Sequence, residues 1–151
     1  MLSTLRRLVA LYLCFTLCFF LAACSSGKAQ PSAISPEDMA VIRRQAEGYQ
    51  AAMVRLPELA SLVSNRDWTY ARNLIHGPMQ EVGREMLYIN KRLLPADLPE
   101  AEKRSQILKE ALADLDEAAR LQSADRLDKS YELVVKGFKS YAELIPAQAL
   151  N

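Results

Sequence analysis

The chain has 151 residues, half of them hydrophobic and a quarter charged, with 19 basic residues against 18 acidic ones and a single histidine. So even a balance excludes a nucleic-acid binder, which needs a basic stripe to displace phosphate counterions, and the length suits one modest domain. All three cysteines, Cys14, Cys18 and Cys24, fall within the first 24 residues, so the body of the chain offers no thiol for a disulfide, a metal or a nucleophilic reaction.

Residues 1–23 read as a cleaved signal peptide. Arg6 and Arg7 precede an apolar run from Leu8 to Ala22, and Leu21-Ala22-Ala23-Cys24 is a small-residue cleavage site followed at once by cysteine, the pattern of a bacterial lipobox. The run is about fifteen residues, short of the roughly twenty that span a bilayer, which favours an export signal over a permanent membrane helix. Leu8 and Val9 after the arginine pair leave the general and twin-arginine export routes both open. Cleavage takes Arg6 and Arg7 with it, leaving the mature chain within one charge of neutral. It also makes Cys24 the first residue, the site for a thioether-linked diacylglyceryl group and an amide-linked acyl chain. At about 0.8 kcal/mol per buried methylene, these chains together hold a membrane far more firmly than one myristoyl group.

Residues 24–34 form the expected tether, small and polar without an apolar period, with a reach of roughly 30 Å at ~3.3 Å per residue. The domain, residues 35–151, carries four helical patterns. The first opens on Ser35-Pro36-Glu37-Asp38, a capping serine with proline at the first helical position. Its inward seam is Met39, Ile42, Ala46, Tyr49, Met53, Leu56, Ala60 and Val63, with a kink expected where Pro57 leaves the Met53 carbonyl without a donor. Asp67 is placed to cap the second helix, whose inner face is Trp68, Ala71, Ile75, Met79, Val82, Met86, Ile89 and Leu93, with a kink or unwinding at Gly77-Pro78.

Pro95 stops that helix, and Asp97-Leu98-Pro99-Glu100 opens a third, capped by Asp97, with Ala101, Leu108, Leu112, Leu115 and Ala119 inward. The fourth turns inward Leu127, Tyr131, Val134, Phe138, Tyr141 and Ile145 until Pro146 ends it, while Asp128 points outward. Connections this short make neighbouring helices antiparallel, so the expected fold is all-α, an up-down-up-down four-helix bundle.

Known bundle chemistry finds little support in these residues. A c-type haem needs Cys-x-x-Cys-His, and a di-iron site needs two Glu-x-x-His pairs, whereas three residues before His76 stands Asn73. His76 with a carboxylate such as Glu81 is the one candidate metal site, set against the plainer reading of a polar residue beside a helix break. No glycine-rich elbow presents a serine to His76, so no catalytic residue is assigned. Asp114, Asp116 and Glu117 are the densest acidic group, without EF-hand spacing, and read as a solvated helix face. The methionines, the tyrosines and Trp68 fall on the seams and read as core. These residues describe a lipid-tethered binding or assembly module with no bound cofactor beyond its lipid.

The stretch Asp67-Trp68-Thr69-Tyr70-Ala71-Arg72-Asn73-Leu74-Ile75-His76-Gly77-Pro78 resembles the Trp-x-x-x-Arg-x-x-(Ile or Leu)-x-Gly-Pro stretch of the PsbQ family. Leu112 to Ala119 resembles that family's third-helix Leu-Asp-x-Ala segment, and Tyr131 and Phe138 to Tyr141 stand where its last helix carries aromatics. The likeness runs from about Ser35 to Pro146, and the lipobox suits the cyanobacterial lipoprotein form. The resemblance implies a non-catalytic extrinsic subunit of photosystem II on the lumenal side of the thylakoid membrane. Such a subunit stabilises the oxygen-evolving manganese–calcium cluster and helps retain calcium and chloride. Its implied partners are the core antenna and the other lumenal extrinsic subunits, besides the membrane itself through the lipid. Trp68, Arg72, Gly77 and Pro78 carry the resemblance, and the motif leaves open whether they dock or pack. The alternative is a periplasmic lipoprotein that binds a small ligand or metal within its bundle near His76.

The lipid reading has a direct test. Cys24→Ser should give a folded protein that leaves the detergent phase for water on phase separation, because the acyl chains supply most of the membrane affinity. Equal partition of wild type and variant would refute the lipobox.

Overall fold

A computed structural model of the chain describes residues 33–150; the signal peptide 1–23, Cys24 and residues 25–32 of the tether lie outside the described residues. Among the described residues there are six α-helices, one 3-10 turn and no strand. They are α1 (Pro36–Met53), α2 (Leu56–Ser64), α3 (Trp68–His76), α4 (Val82–Asn90), α5 (Leu98–Arg120) and α6 (Ala124–Ala142), with the 3-10 turn at Ala147–Ala149. None of these helices is long and apolar enough to cross a membrane. The all-α bundle expected from the sequence is present, but two of its four rods are broken in two.

At the start of α1 the Ser35 hydroxyl accepts the Asp38 N–H at 3.1 Å and donates to the Asp38 carboxylate at 2.8 Å, as its capping sequence requires. The rod then stops at Met53 instead of kinking at Pro57. Proline cannot donate to the carbonyl four residues back, and its ring crowds that carbonyl. The chain resolves the conflict by ending α1 and restarting at Leu56, so that Pro57 falls in the first turn of α2, where a missing N–H costs nothing. The buried set differs on both sides of the break: Ala52 and Leu59 are buried, whereas Met53, Leu56 and Ala60 are only partly so.

The second rod breaks where Gly77-Pro78 predicts, and over a longer stretch. Pro78 offers no donor to the Leu74 carbonyl, so the Met79 N–H reaches back to it at 3.3 Å. Residues 77–81 turn, Met79 becomes fully buried, and α4 begins at Val82. It ends at Asn90, leaving Leu93 half-buried beyond the helix. Asp67 and Asp97 occupy the expected cap positions without making side-chain cap bonds. At Asp97 the backbone is already helical and closes on the Leu94 carbonyl through its own N–H.

The turns after α2 and α5 are alike. Arg66 (φ 56°) and Gln122 (φ 52°) both adopt the left-handed conformation. Around them the Asp67 N–H bonds the Leu62 carbonyl, and the Ser123 N–H bonds that of Ala118, the paired closure of a Schellman turn.

Contacts across the bundle fix the helix directions. Asp38 meets Arg92 and Gly48 lies against Glu85, while Tyr49 meets Phe138 and Arg66 meets Asp128. Arg72 meets Asp116 and Asn90 meets Ser105; Arg104 bonds the Ser140 carbonyl and Leu108 packs on Gly137. In each pair of neighbouring rods one number rises as the other falls, so the neighbours run antiparallel. The α5–α6 pairing is the most extensive, and it is tight at Gly137, where a Cβ would lie 3.0 Å from Leu108 Cδ1 and 3.3 Å from its Cα.

Tyr49 stands at the centre, fully buried, donating to the Phe138 carbonyl at 2.7 Å with its ring tilted against Phe138 and Tyr141 at 5.5 and 5.2 Å. The Tyr141 hydroxyl donates to Asn90 Oδ1 at 2.7 Å, and Asn90 donates in turn to Ser105. Asn90, Ser105, Ser130, Gln45 and Glu85 are buried polar residues that apolar periodicity does not reveal.

Leu115→Asp and Phe138→Asp should each abolish cooperative melting, since either forfeits roughly 1.5 to 3 kcal/mol of burial before a carboxylate is desolvated. Tyr49→Phe keeps the ring and removes only the hydrogen bond, and should cost about 1 kcal/mol. Thermal melting of the three variants checks both magnitudes, and equal shifts would refute the assignment of the core.

Candidate functional site

Trp68, Arg72 and His76 recur every four residues along α3 and therefore share a face. That face meets the last turns of α5. The Arg72 Nε–H donates to Asp116 Oδ1 at 2.9 Å, and His76 Nε2 lies 2.9 Å from the same oxygen. Asp116 is the better shielded partner, its side chain 21% exposed against 39% for Arg72 and 56% for His76. One carboxylate thus clasps two α3 side chains one helical turn apart, and Arg120 beside it is tied to Glu117. The Arg120 guanidinium holds the Glu117 carboxyl below its usual range through that hydrogen bond.

This arrangement corrects the reading of a solvated face at Asp116, while Asp114 is exposed as expected. Asp116 directly follows the inward Leu115 and lies four residues after Leu112, which turns it toward α3 and away from open water. The missing signal was a partner: Arg72 needs a carboxylate, and only the rod pairing shows which one. Asp128 is outward as expected and is also paired, in a two-pronged bond with Arg66 at 2.6 and 2.8 Å.

Trp68 is half-buried against the core, at the edge of the same face. Gly77 and Pro78 are exposed and act through the backbone. A Cβ at Gly77 would lie 2.9 Å from the Asn73 carbonyl oxygen, which also accepts the Gly77 N–H, so the turn closes tightly only on a bare Cα. Trp68 and Arg72 therefore stand together on the helix face, while Gly77 and Pro78 end that helix and place His76 at its last position.

Two open hollows flank His76. One of about 270 Å³ is bordered by Trp68, Arg72, Asn73 and Arg120. The other, of about 390 Å³, is bordered by Ile75, Met79, Lys109 and Leu112. Among the described residues no group of three or more His, Cys, Asp or Glu side chains converges on a metal position. His76 and Asp116 supply two donors where a structural zinc takes four, and the Asp116 oxygen is already bonded to a guanidinium. Glu81, suggested from the sequence as a partner for His76, is paired with Arg84 instead. The geometry is that of a helix-to-helix clasp beside a surface trough.

The family model for oxygen evolving enhancer protein 3, PsbQ, matches residues 4–146. CyanoQ of Synechocystis sp. is 28% identical over 146 residues, a span covering 95% of this chain and 97% of that protein. The matched region holds all six helices, the Arg72–Asp116 clasp and the whole of Trp68 to Pro78. With a single family model lying over nearly its entire length, the chain belongs to the PsbQ, or oxygen evolving enhancer protein 3, family.

Proposed function

We propose that this protein is a non-catalytic extrinsic subunit of photosystem II, held on the lumenal side of the thylakoid membrane by the lipid on Cys24. In this reading it stabilises the oxygen-evolving manganese–calcium cluster and helps retain calcium and chloride. The observation that carries the proposal is the near full-length match to the PsbQ family. The partners are the core antenna and the other lumenal extrinsic subunits, and the mode of action is docking, without ligation of the cluster. A packed core with open hollows at its surface, among the described residues, suits recognition of another protein better than enclosure of a small ligand.

Deletion of the gene should weaken oxygen evolution chiefly when calcium or chloride is scarce, and full supplementation should restore most of the loss. Unchanged oxygen evolution under ion depletion, together with failure of the tagged protein to recover any photosystem II subunit, would return the assignment to a ligand-binding lipoprotein.

The clasp supports a structural reading of Arg72 over a docking one. A pair this exposed contributes about 0.2 to 1 kcal/mol, so Arg72→Ala should lower the melting temperature by a few degrees. Asp116→Ala should match it, and the double variant should fall short of the sum. Retention on photosystem II should stay normal in Arg72→Ala. Normal melting with weakened retention would make Arg72 a docking residue instead.

A further inference from the structure

The hollow beside His76 does not end there. It shares Gly83 and Lys109 with a second hollow, of about 450 Å³, whose walls are Leu87, Lys91 and Leu98. The two together follow the seam between the second rod and α5 from Asp116 back to Leu98, roughly 27 Å at 1.5 Å per residue. The trough exists because α5 packs far more thinly on α4 than on α6, and because Gly83 leaves the wall without a side chain.

Its lining is amphipathic. Leu87 is 50% exposed and Tyr88 beside it 43%, large apolar side chains of the kind that mark interaction sites when they adjoin a groove. Lys91 and Lys109 are exposed, and among the described residues neither ammonium has a carboxylate within ion-pair distance. Lys91 instead lies 5.7 Å from the centre of the Tyr88 ring. The acids along the trough are largely spent, Asp116 on Arg72 and Glu117 on Arg120, which leaves Glu102 as the opposing charge.

We propose that this trough docks an elongated acidic segment of a partner protein within photosystem II. Its carboxylates meet Lys91 and Lys109, and an apolar residue between them meets Leu87 and Leu98. The proposal rests on the function proposed above and gives that docking a surface. A span this long exceeds a small molecule and fits a stretch of polypeptide. An anionic membrane surface is read by clusters of about four to eight basic residues, and this trough has two.

The experiment uses the mature lipidated protein and detergent-solubilised photosystem II from a strain lacking it, with melting temperature as the control for folding. Lys91→Glu with Lys109→Glu should weaken binding by about tenfold or more, and mostly at low salt. Gly83→Leu should weaken it at all salt concentrations by filling the trough. A Cβ there sits 3.7 Å from Lys109 Cδ, ordinary contact distance, so the new side chain leaves the helix without a clash at its root and extends into the open trough, and an unchanged melting temperature is the condition for reading its binding. Lys136→Glu with Lys139→Glu on α6 should bind normally. Unimpaired binding of the trough variants, or equal weakening of the α6 variant, overturns the trough while leaving the subunit assignment intact. Failure of wild type itself to bind overturns both. If the trough variants lose only their affinity for phosphatidylglycerol vesicles, the trough reads lipid and the proposal falls.

Discussion

The Tyr49 phenol sits where no water reaches it, and a buried hydroxyl left without a partner costs about 1 to 3 kcal/mol. The bundle answers by placing the Phe138 carbonyl 2.7 Å away, which sets the depth of α1 against α6. The same demand propagates from Tyr141 to Asn90 and on to Ser105, so one line of polar contacts ties all four rods at a single height. Apolar packing tolerates small slides between helices. These bonds do not, because each has one geometry that satisfies it. Burial also pushes both phenols well above the usual tyrosine range, so they stay protonated donors.

Around that fixed level, the two proline interruptions adjust the outer shape. By the register of the Asp38–Arg92 and Gly48–Glu85 contacts, the break at residues 54–55 and the turn at 77–81 lie at about the same level on neighbouring rods. The unbroken α5 and α6 serve as the straight half against which the jointed half is laid. The Trp68–Arg72–His76 face belongs to the short helix α3, and the Arg72–Asp116 bond fastens that helix to the straight half. A structural clasp and an open trough thus share one seam, the first holding α3 against α5 and the second appearing where α4 falls away from it.

Much of this was legible in the residues. The inward sets of the third and fourth helices hold almost position for position, because an uninterrupted 3.6-residue period makes the buried face readable. The first rod was less legible around its break at residues 54–55: a seam drawn through a break loses its phase, and only the structure shows that Ala52 and Leu59 replace Met53 and Leu56 in the core. The aspartates at 67 and 97 mark helix starts correctly and the capping bond wrongly, since a cap depends on a backbone angle that composition does not carry. Around the clasp, Trp68 and Arg72 were singled out by the family resemblance, whereas Asp116 was read only as part of a solvated face. A cross-helix pair is a fact of rod pairing, invisible to periodicity within one helix. The trough eluded the sequence for the same reason, because it is made by what α4 and α5 fail to fill.

The close approach of α5 and α6 at Gly137 bears on how the chain reaches its fold. Those two helices are adjacent in sequence, joined by a three-residue connection, and make the most extensive pairing in the domain. Joining them closes only a short loop, at little cost in chain entropy. The α1–α6 contacts, by contrast, join residues 89 apart at Tyr49 and Phe138. Low sequence separation favours early formation, so the expected order is the α5–α6 hairpin first and the jointed half later. A bulky residue at 137 would then slow folding as well as weaken the product, whereas loss of the Tyr49 hydroxyl would mainly speed unfolding.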